Sequence, residues 1–166
     1  RSLALLSLSL IALAAPAPAA AQIPKYDAFF VFSDSLGDTG NDWILTRSLG
    51  TEPAIPPSES PHRTYFFGRF SNGPIMFEHL WSKLSSKDGV TPSLAISEIP
   101  RKGAVSFAYG GSTSGTTCFP FAGLRCQVEQ FGQLLGGNPP PQRALYAIFS
   151  GANDVLQAED PFDPAV

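Results

Sequence analysis

The chain has 166 residues, 43% of them hydrophobic and 15% charged, with a net charge of -3 and a pI near 5.2. The apolar fraction suffices for a core, and the length fits one domain. An acidic balance without any sustained basic stretch argues against nucleic acid as a partner, and no internal repeat is found.

Residues 3–15 form an apolar run behind Arg1, followed by Pro16-Ala17-Pro18-Ala19-Ala20-Ala21-Gln22. This is the pattern of a secretory signal with an A-x-A site, cleaved after Ala21. The run is too short to cross a bilayer of about 30 Å as a helix, and the alanine-proline tail argues against a packed helix continuing there. Residues 1–21 are expected to be a signal peptide whose start is cut, since the chain begins with Arg1 rather than methionine. Secretion, extracellular or periplasmic, with no stable membrane anchor, is the expectation.

Next, Phe29-Phe30-Val31-Phe32 runs into Ser33-Asp34-Ser35-Leu36-Gly37-Asp38-Thr39-Gly40-Asn41, an apolar strand ending in small polar turn residues. Such a turn can expose the Ser35 hydroxyl at the strand's carboxyl edge as a nucleophile. On these residues alone, an ordinary capped loop explains the pattern as well. Prolines and serines over 52–61 mark a long loop. Helical spacing covers 74–85, with Asn72 or Gly73 as cap, Pro74 at the start, and Met76, Phe77, Leu80, Trp81 and Leu84 as the apolar stripe. A second helix is expected over 127–135, with Val128, Phe131 and Leu135 on one face. Ala104-Val105-Ser106-Phe107-Ala108-Tyr109-Gly110-Gly111 and Ala147-Ile148-Phe149-Ser150-Gly151-Ala152-Asn153-Asp154 repeat the layout of apolar strand then polar turn. Strands alternating with helices predict a three-layer α/β fold with a mainly parallel sheet, whose ligand site lies at the strands' carboxyl ends.

These blocks, in this order, resemble the GDSL esterase/lipase family, the SGNH hydrolases, whose sequences read GDSL, then an NFAxGG-like segment, then GxND. Gly68-Arg69-Phe70-Ser71-Asn72-Gly73 is also similar to the GRFSNG segment of the larger secreted members. The resemblance covers most of the chain from about Ile23 onward. It implies an SGNH-type αβα fold, incomplete at the C-terminus, with Ser35 as nucleophile. Ser35 N–H, Gly111 N–H and the Asn153 side-chain amide are the implied oxyanion donors. Donors of this kind contribute about 3 to 4 kcal/mol each to lowering an acyl-transfer barrier. No cofactor and no metal are called for.

Two positions depart from the family pattern. Ser33 stands where the family's name has glycine, and serine is small enough for the turn to survive. Ser106 stands where many members have asparagine, so the tether of the second loop is expected to be weaker or replaced. The family's general base is a histidine in a late Asp-x-x-His segment, whereas this chain ends at Asp163-Pro164-Ala165-Val166. His79 points away from the apolar stripe of its helix and His62 lies in a proline-rich loop, so both read as solvated residues. Residues 22–166 are accordingly expected to be the N-terminal part of a single hydrolase domain, inactive without its base.

Cys118 and Cys126 lie close in sequence, and an oxidising compartment favours a disulfide between them, with two unpaired buried thiols as the alternative. Two thiols without a nearby histidine supply too few ligands for a metal. Thirteen phenylalanines raise the question of an acyl pocket at Tyr65-Phe66-Phe67 or Phe119-Pro120-Phe121, although core packing is the commoner use of the ring. Arg69 could hold a substrate anion or make an internal hydrogen bond to a loop carbonyl. The expected function is hydrolysis of a lipid, glycan or other small acyl ester through an acyl-enzyme on Ser35. The alternatives are acyl transfer by the same serine, or an inactive lipid- or carbohydrate-binding relative.

Overall fold

A computed structural model describes residues 25–85, 87, 89–118 and 122–158. The expected signal peptide at 1–21, Phe119-Pro120-Phe121 and the last eight residues lie outside the described residues.

The first strand, β1 (Ala28–Ser33), is buried along its whole length. A strand apolar on both faces needs cover on both, which a central strand of a parallel sheet receives. Its side chains alternate accordingly. Phe29 and Val31 enter a cluster with Phe77 and Trp81 of α2 (Met76–Ser85). Ala28, Phe30 and Phe32 enter another with Phe107 and with Phe131 of α3 (Leu124–Leu135). The result is three layers, helix on sheet on helix, as the alternation of elements predicts.

Aromatic rings dominate both clusters. Phe29 stacks on Trp81 at 5.9 Å, Phe30 meets Phe131 edge-on at 5.0 Å, and Phe32 stacks on Phe107 at 5.2 Å. Full burial of each such side chain contributes about 1.5 to 3 kcal/mol.

The remaining strands are β2 (Thr91–Pro92), β3 (Gly103–Ser106) and β4 (Ala144–Phe149), and the sheet order is β2-β3-β1-β4. All pairings are parallel, with Val31 opposite Ser106 and Ser33 opposite Phe149. β4 is an edge strand among the described residues, and Ile148 and Phe149 on it are exposed.

Both expected helices form, with shifted details. α2 starts at Met76, not Pro74, because the Glu78 carboxylate reaches back to accept the Ile75 N–H at 3.0 Å, one half of a capping box. Asn72 and Gly73 therefore do not cap it. Met76 and Leu80 are exposed, and Glu78 joins Phe77 and Trp81 on the buried face. Glu78 is held there by Arg69, 2.7 Å away. α3 begins three residues earlier than expected and turns Gln127 inward, while Val128 is exposed.

Two short helices were not legible from periodicity: α1 (Asn41–Ser48) and α4 (Ala152–Gln157). Neither carries a sustained apolar stripe, and both follow strand ends.

Candidate active site

The chain leaves β1 to build β3 on one side of it and β4 on the other. The carboxyl end of β1 is thus a topological switch point, where an open α/β sheet leaves a crevice for ligands. Ser35 lies there, half-buried, two residues beyond β1. Its turn is closed by the Gly37 N–H donating to Asp34 O at 3.0 Å and by the Leu36 N–H donating to Asp34 Oδ1 at 2.9 Å. Gly37 is required, since a Cβ there would sit 2.5 Å from Ser33 Cβ.

Beyond β3, the Ser112 N–H donates to Tyr109 O at 3.2 Å. This closes a turn whose third residue, Gly111, has φ 74°, the value a type II turn demands of that position. Asn153 stands in the first turn of α4, after β4. Its Nδ2 donates to Ser112 O at 2.8 Å, which uses one of the two amide hydrogens. The Gln157 Nε2 donates to Gly111 O at 2.8 Å, and Asp154 accepts from Ser114 N–H and Oγ. Gly111 and Asn153 therefore belong to one loop cluster, and Ser35 stands at the adjoining strand end.

The residues that tie these loops together are ones that sequence reasoning passed over. Asp38 Oδ1 accepts the Gly40 and Asn41 N–H groups at 2.7 and 2.6 Å, and its Oδ2 accepts the Asp42 N–H at 3.1 Å, satisfying the first turn of α1. Asn41 Nδ2 donates to Ser106 O and Ala108 O at 2.9 and 3.0 Å. Asp42 Oδ2 accepts the Gly110 N–H at 2.8 Å. Ser106 Oγ donates to Gly37 O at 2.6 Å, a span short enough for serine, while Asn41 and Asp42 supply the other ties to this loop.

Gln127 is fully buried and bridges the end of β1 and the loop after β3. It accepts the Ser33 N–H at 2.9 Å and donates to Ser33 O and Ser112 Oγ at 2.8 and 2.9 Å. Its spacing from Leu124 and Phe131, three and four residues, was the available signal. A polar residue on that face needs partners.

Arg69 takes the internal role. Its guanidinium donates to Phe67 O at 2.6 Å and pairs with Glu78. Phe70 of the same segment lies under Gly110, where an added Cβ would come within 2.6 Å of the ring. His62 is exposed and lines a cavity with Trp43, Arg47 and Glu59, near the end of α1 away from Asn41. His79 is exposed on α2. Cys118 and Cys126 are joined as a disulfide, their Cα atoms 5.6 Å apart.

Burial pushes the Asp38 carboxyl up to about 6, against the pull of its three backbone N–H groups and Arg69. Burial, then the charge of Asp38, pushes Asp42 up to about 7, against the Gly110 N–H. Both values exceed the unfolded value of about 3.9. The native state then binds more protons than the unfolded chain between about pH 4 and 7, so this contribution to stability is lost as pH rises through that window. Asp42→Asn removes one of the two titrating groups. Thermal midpoints measured from pH 5 to 8 are expected to fall less in Asp42→Asn than in the wild type, and equal slopes would contradict the assignment.

A three-layer α/β protein with a parallel sheet, its small and polar loops gathered at the switch point, is the class that these observations define. The chain belongs to the GDSL-like lipase/acylhydrolase family, whose model matches residues 29–165. It is 31% identical over 133 residues to the phosphatidylcholine-sterol acyltransferase of Aeromonas hydrophila, covering 80% of this chain and 34% of that protein. It is also 31% identical over 144 residues to GDSL esterase/lipase 22 of Arabidopsis thaliana, covering 85% of this chain and 36% of the relative. The chain thus spans little more than a third of the length of these relatives.

Proposed function

We propose that this chain is the nucleophile-bearing part of an exported serine ester hydrolase that works through an acyl-enzyme on Ser35. The observation that carries the reading is the placement of Ser35, Gly111 and Asn153 at the carboxyl ends of three adjacent parallel strands. A general base takes the proton from Ser35 Oγ as it attacks the ester carbonyl carbon. The carbonyl oxygen becomes an oxyanion, which accepts from the Ser35 and Gly111 N–H groups and from the second hydrogen of Asn153 Nδ2. Collapse of this intermediate expels the alcohol, which takes the proton from the base. Water then releases the acid and frees the serine.

In this reading residues 22–166 are the N-terminal part of a single domain, and the base is a histidine of a downstream Asp-x-x-His segment. The greater length of the relatives supports this, as does the exposure of His62 and His79. The open edge of β4, with Ile148 and Phe149 exposed, supports a sheet that continues. The substrate is an acyl ester of a lipid, glycan or small alcohol, and no cofactor enters the reaction.

The name of the Aeromonas relative favours a second reading, in which an alcohol rather than water captures the acyl group. The full-length protein incubated with a p-nitrophenyl ester and a competing alcohol separates the two. Free acid as the main product means hydrolysis, and a new ester means transfer. No p-nitrophenol release and no fluorophosphonate labelling of Ser35 would leave the inactive, lipid- or carbohydrate-binding alternative.

Export rests on the sequence of residues 1–21, and the cysteine pair suits an oxidising compartment. Among the described residues, no helix is long and apolar enough to cross a membrane. Intact mass with and without reductant is expected to show a mature N-terminus at Gln22 and a gain of two alkylatable thiols on reduction. A retained N-terminus, or thiols alkylated without reductant, would overturn this part.

A further inference from the structure

We propose that Asp42 is a positioning residue: by accepting the Gly110 N–H it sets the next peptide, and with it the Gly111 N–H, against the acyl oxyanion. The inference rests on the reading of Gly111 as an oxyanion donor and names what holds that donor in place.

A backbone donor has no rotamer of its own, so its aim depends on the turn that carries it. Here both central residues of the turn, Gly110 and Gly111, are glycines, which give the backbone its widest freedom. Glycine at the first of these is forced by proximity, since a Cβ would meet Asp42 Oδ2 at 2.5 Å and the Phe70 ring at 2.6 Å. Tethers from neighbouring elements therefore fix the turn. On its far side are the α4 contacts, from Gln157 to Gly111 O and from Asn153 to Ser112 O. On its near side is Asp42, at 2.8 Å from the Gly110 nitrogen.

Only the near tether comes from the element that directly follows the Ser35 turn. Asn41 and Asp42, consecutive on α1, hold Ser106 O, Ala108 O and the Gly110 N–H. The exit from β3 is thereby keyed to the segment that carries the nucleophile. A carboxylate is a costly choice for this task. Asp42 is 4% exposed and lies beside a second buried carboxylate, Asp38, an arrangement that works against folding. What it supplies is an acceptor oxygen fixed at 2.8 Å from the Gly110 nitrogen, and it is this reach, which asparagine shares, that the turn requires. Local rules broken at a strand-end loop point to function rather than packing.

The test uses the full-length protein and a p-nitrophenyl ester, with active sites counted by fluorophosphonate so that misfolded protein drops out. Asp42→Ala is expected to lower kcat per titrated site by about 10- to 100-fold, the scale of a donor displaced by about 1 Å, with KM within about twofold. Asp42→Asn keeps an acceptor at the same reach and is expected to recover most of kcat. In an Asn153→Ala background the loss from Asp42→Ala is expected to shrink, because both changes weaken one oxyanion site. Should the alanine variant not fold, Asp42→Ser, polar but too short to reach Gly110, carries the same comparison. Unchanged kcat per site in Asp42→Ala or Asp42→Ser, or an asparagine variant as impaired as alanine, overturns the inference. If Ser35→Ala stays active, the reading of the site itself fails instead.

Discussion

Ser35→Ala in the full-length protein is expected to abolish turnover of a short p-nitrophenyl ester, a loss of about 10⁴- to 10⁶-fold in kcat. The reason is chemical. Without Oγ there is no bond to form with the acyl carbon, and the residual rate comes only from the oxyanion donors and binding. The fold has little to lose, because Ser35 is half-buried in a turn closed by backbone and Asp34 contacts. The thermal midpoint of the variant should therefore match the wild type. A fluorophosphonate should label the wild type at Ser35 and leave the alanine variant unlabelled. Persistent labelling would move the nucleophile elsewhere; Ser33 and Ser112 are buried nearby.

Asn153→Ala is expected to lower kcat by about 10²- to 10³-fold with little change in KM, the behaviour of a donor that acts mainly on developing charge. The structure sharpens this expectation. Asn153 Nδ2 also holds Ser112 O, so the variant loses a loop tether together with an oxyanion donor. Asn153→Gln separates the two losses poorly, since a longer side chain misplaces both hydrogens. A better control is Gln157→Ala, which frees Gly111 O without removing a proposed donor and should cost less. If Asn153→Ala raised KM and left kcat alone, its amide would be binding substrate in the ground state instead.

The sequence by itself carried the layered α/β class, because β1 is a run of consecutive apolar residues and the strands alternate with helical spacing. Such patterns report burial directly. The family was legible for a similar reason: its blocks are local strings around Ser35, Gly111 and Asn153, each short enough to read along the chain. The solvated state of His62 and His79 followed from their surroundings in the same way.

Only the tertiary structure decided how those strings are held. Asn41 and Asp42 look like ordinary turn residues until β3 is brought beside β1, and then each has a partner beyond the end of β3 or at it, whereas Asp38 caps its own helix locally. Gln127 was assigned to a helix, but its partners lie 94 and 15 residues away at Ser33 and Ser112, beyond the reach of any periodicity. A weaker or replaced tether at Ser106 is all that the string implies; that its Oγ reaches Gly37 O, and that Asn41 and Asp42 take the other ties, depends on the assembled strand ends. Val128 and Met76 are apolar and fit a helical stripe, but of those stripes it is Phe77, Trp81 and Phe131 that pack in the core, joined by the polar Glu78 and Gln127. Hydrophobic patterning is a property of neighbours in sequence and survives into the fold. Hydrogen-bond partnership between loops depends on which strands end side by side, and that is settled only when the sheet assembles.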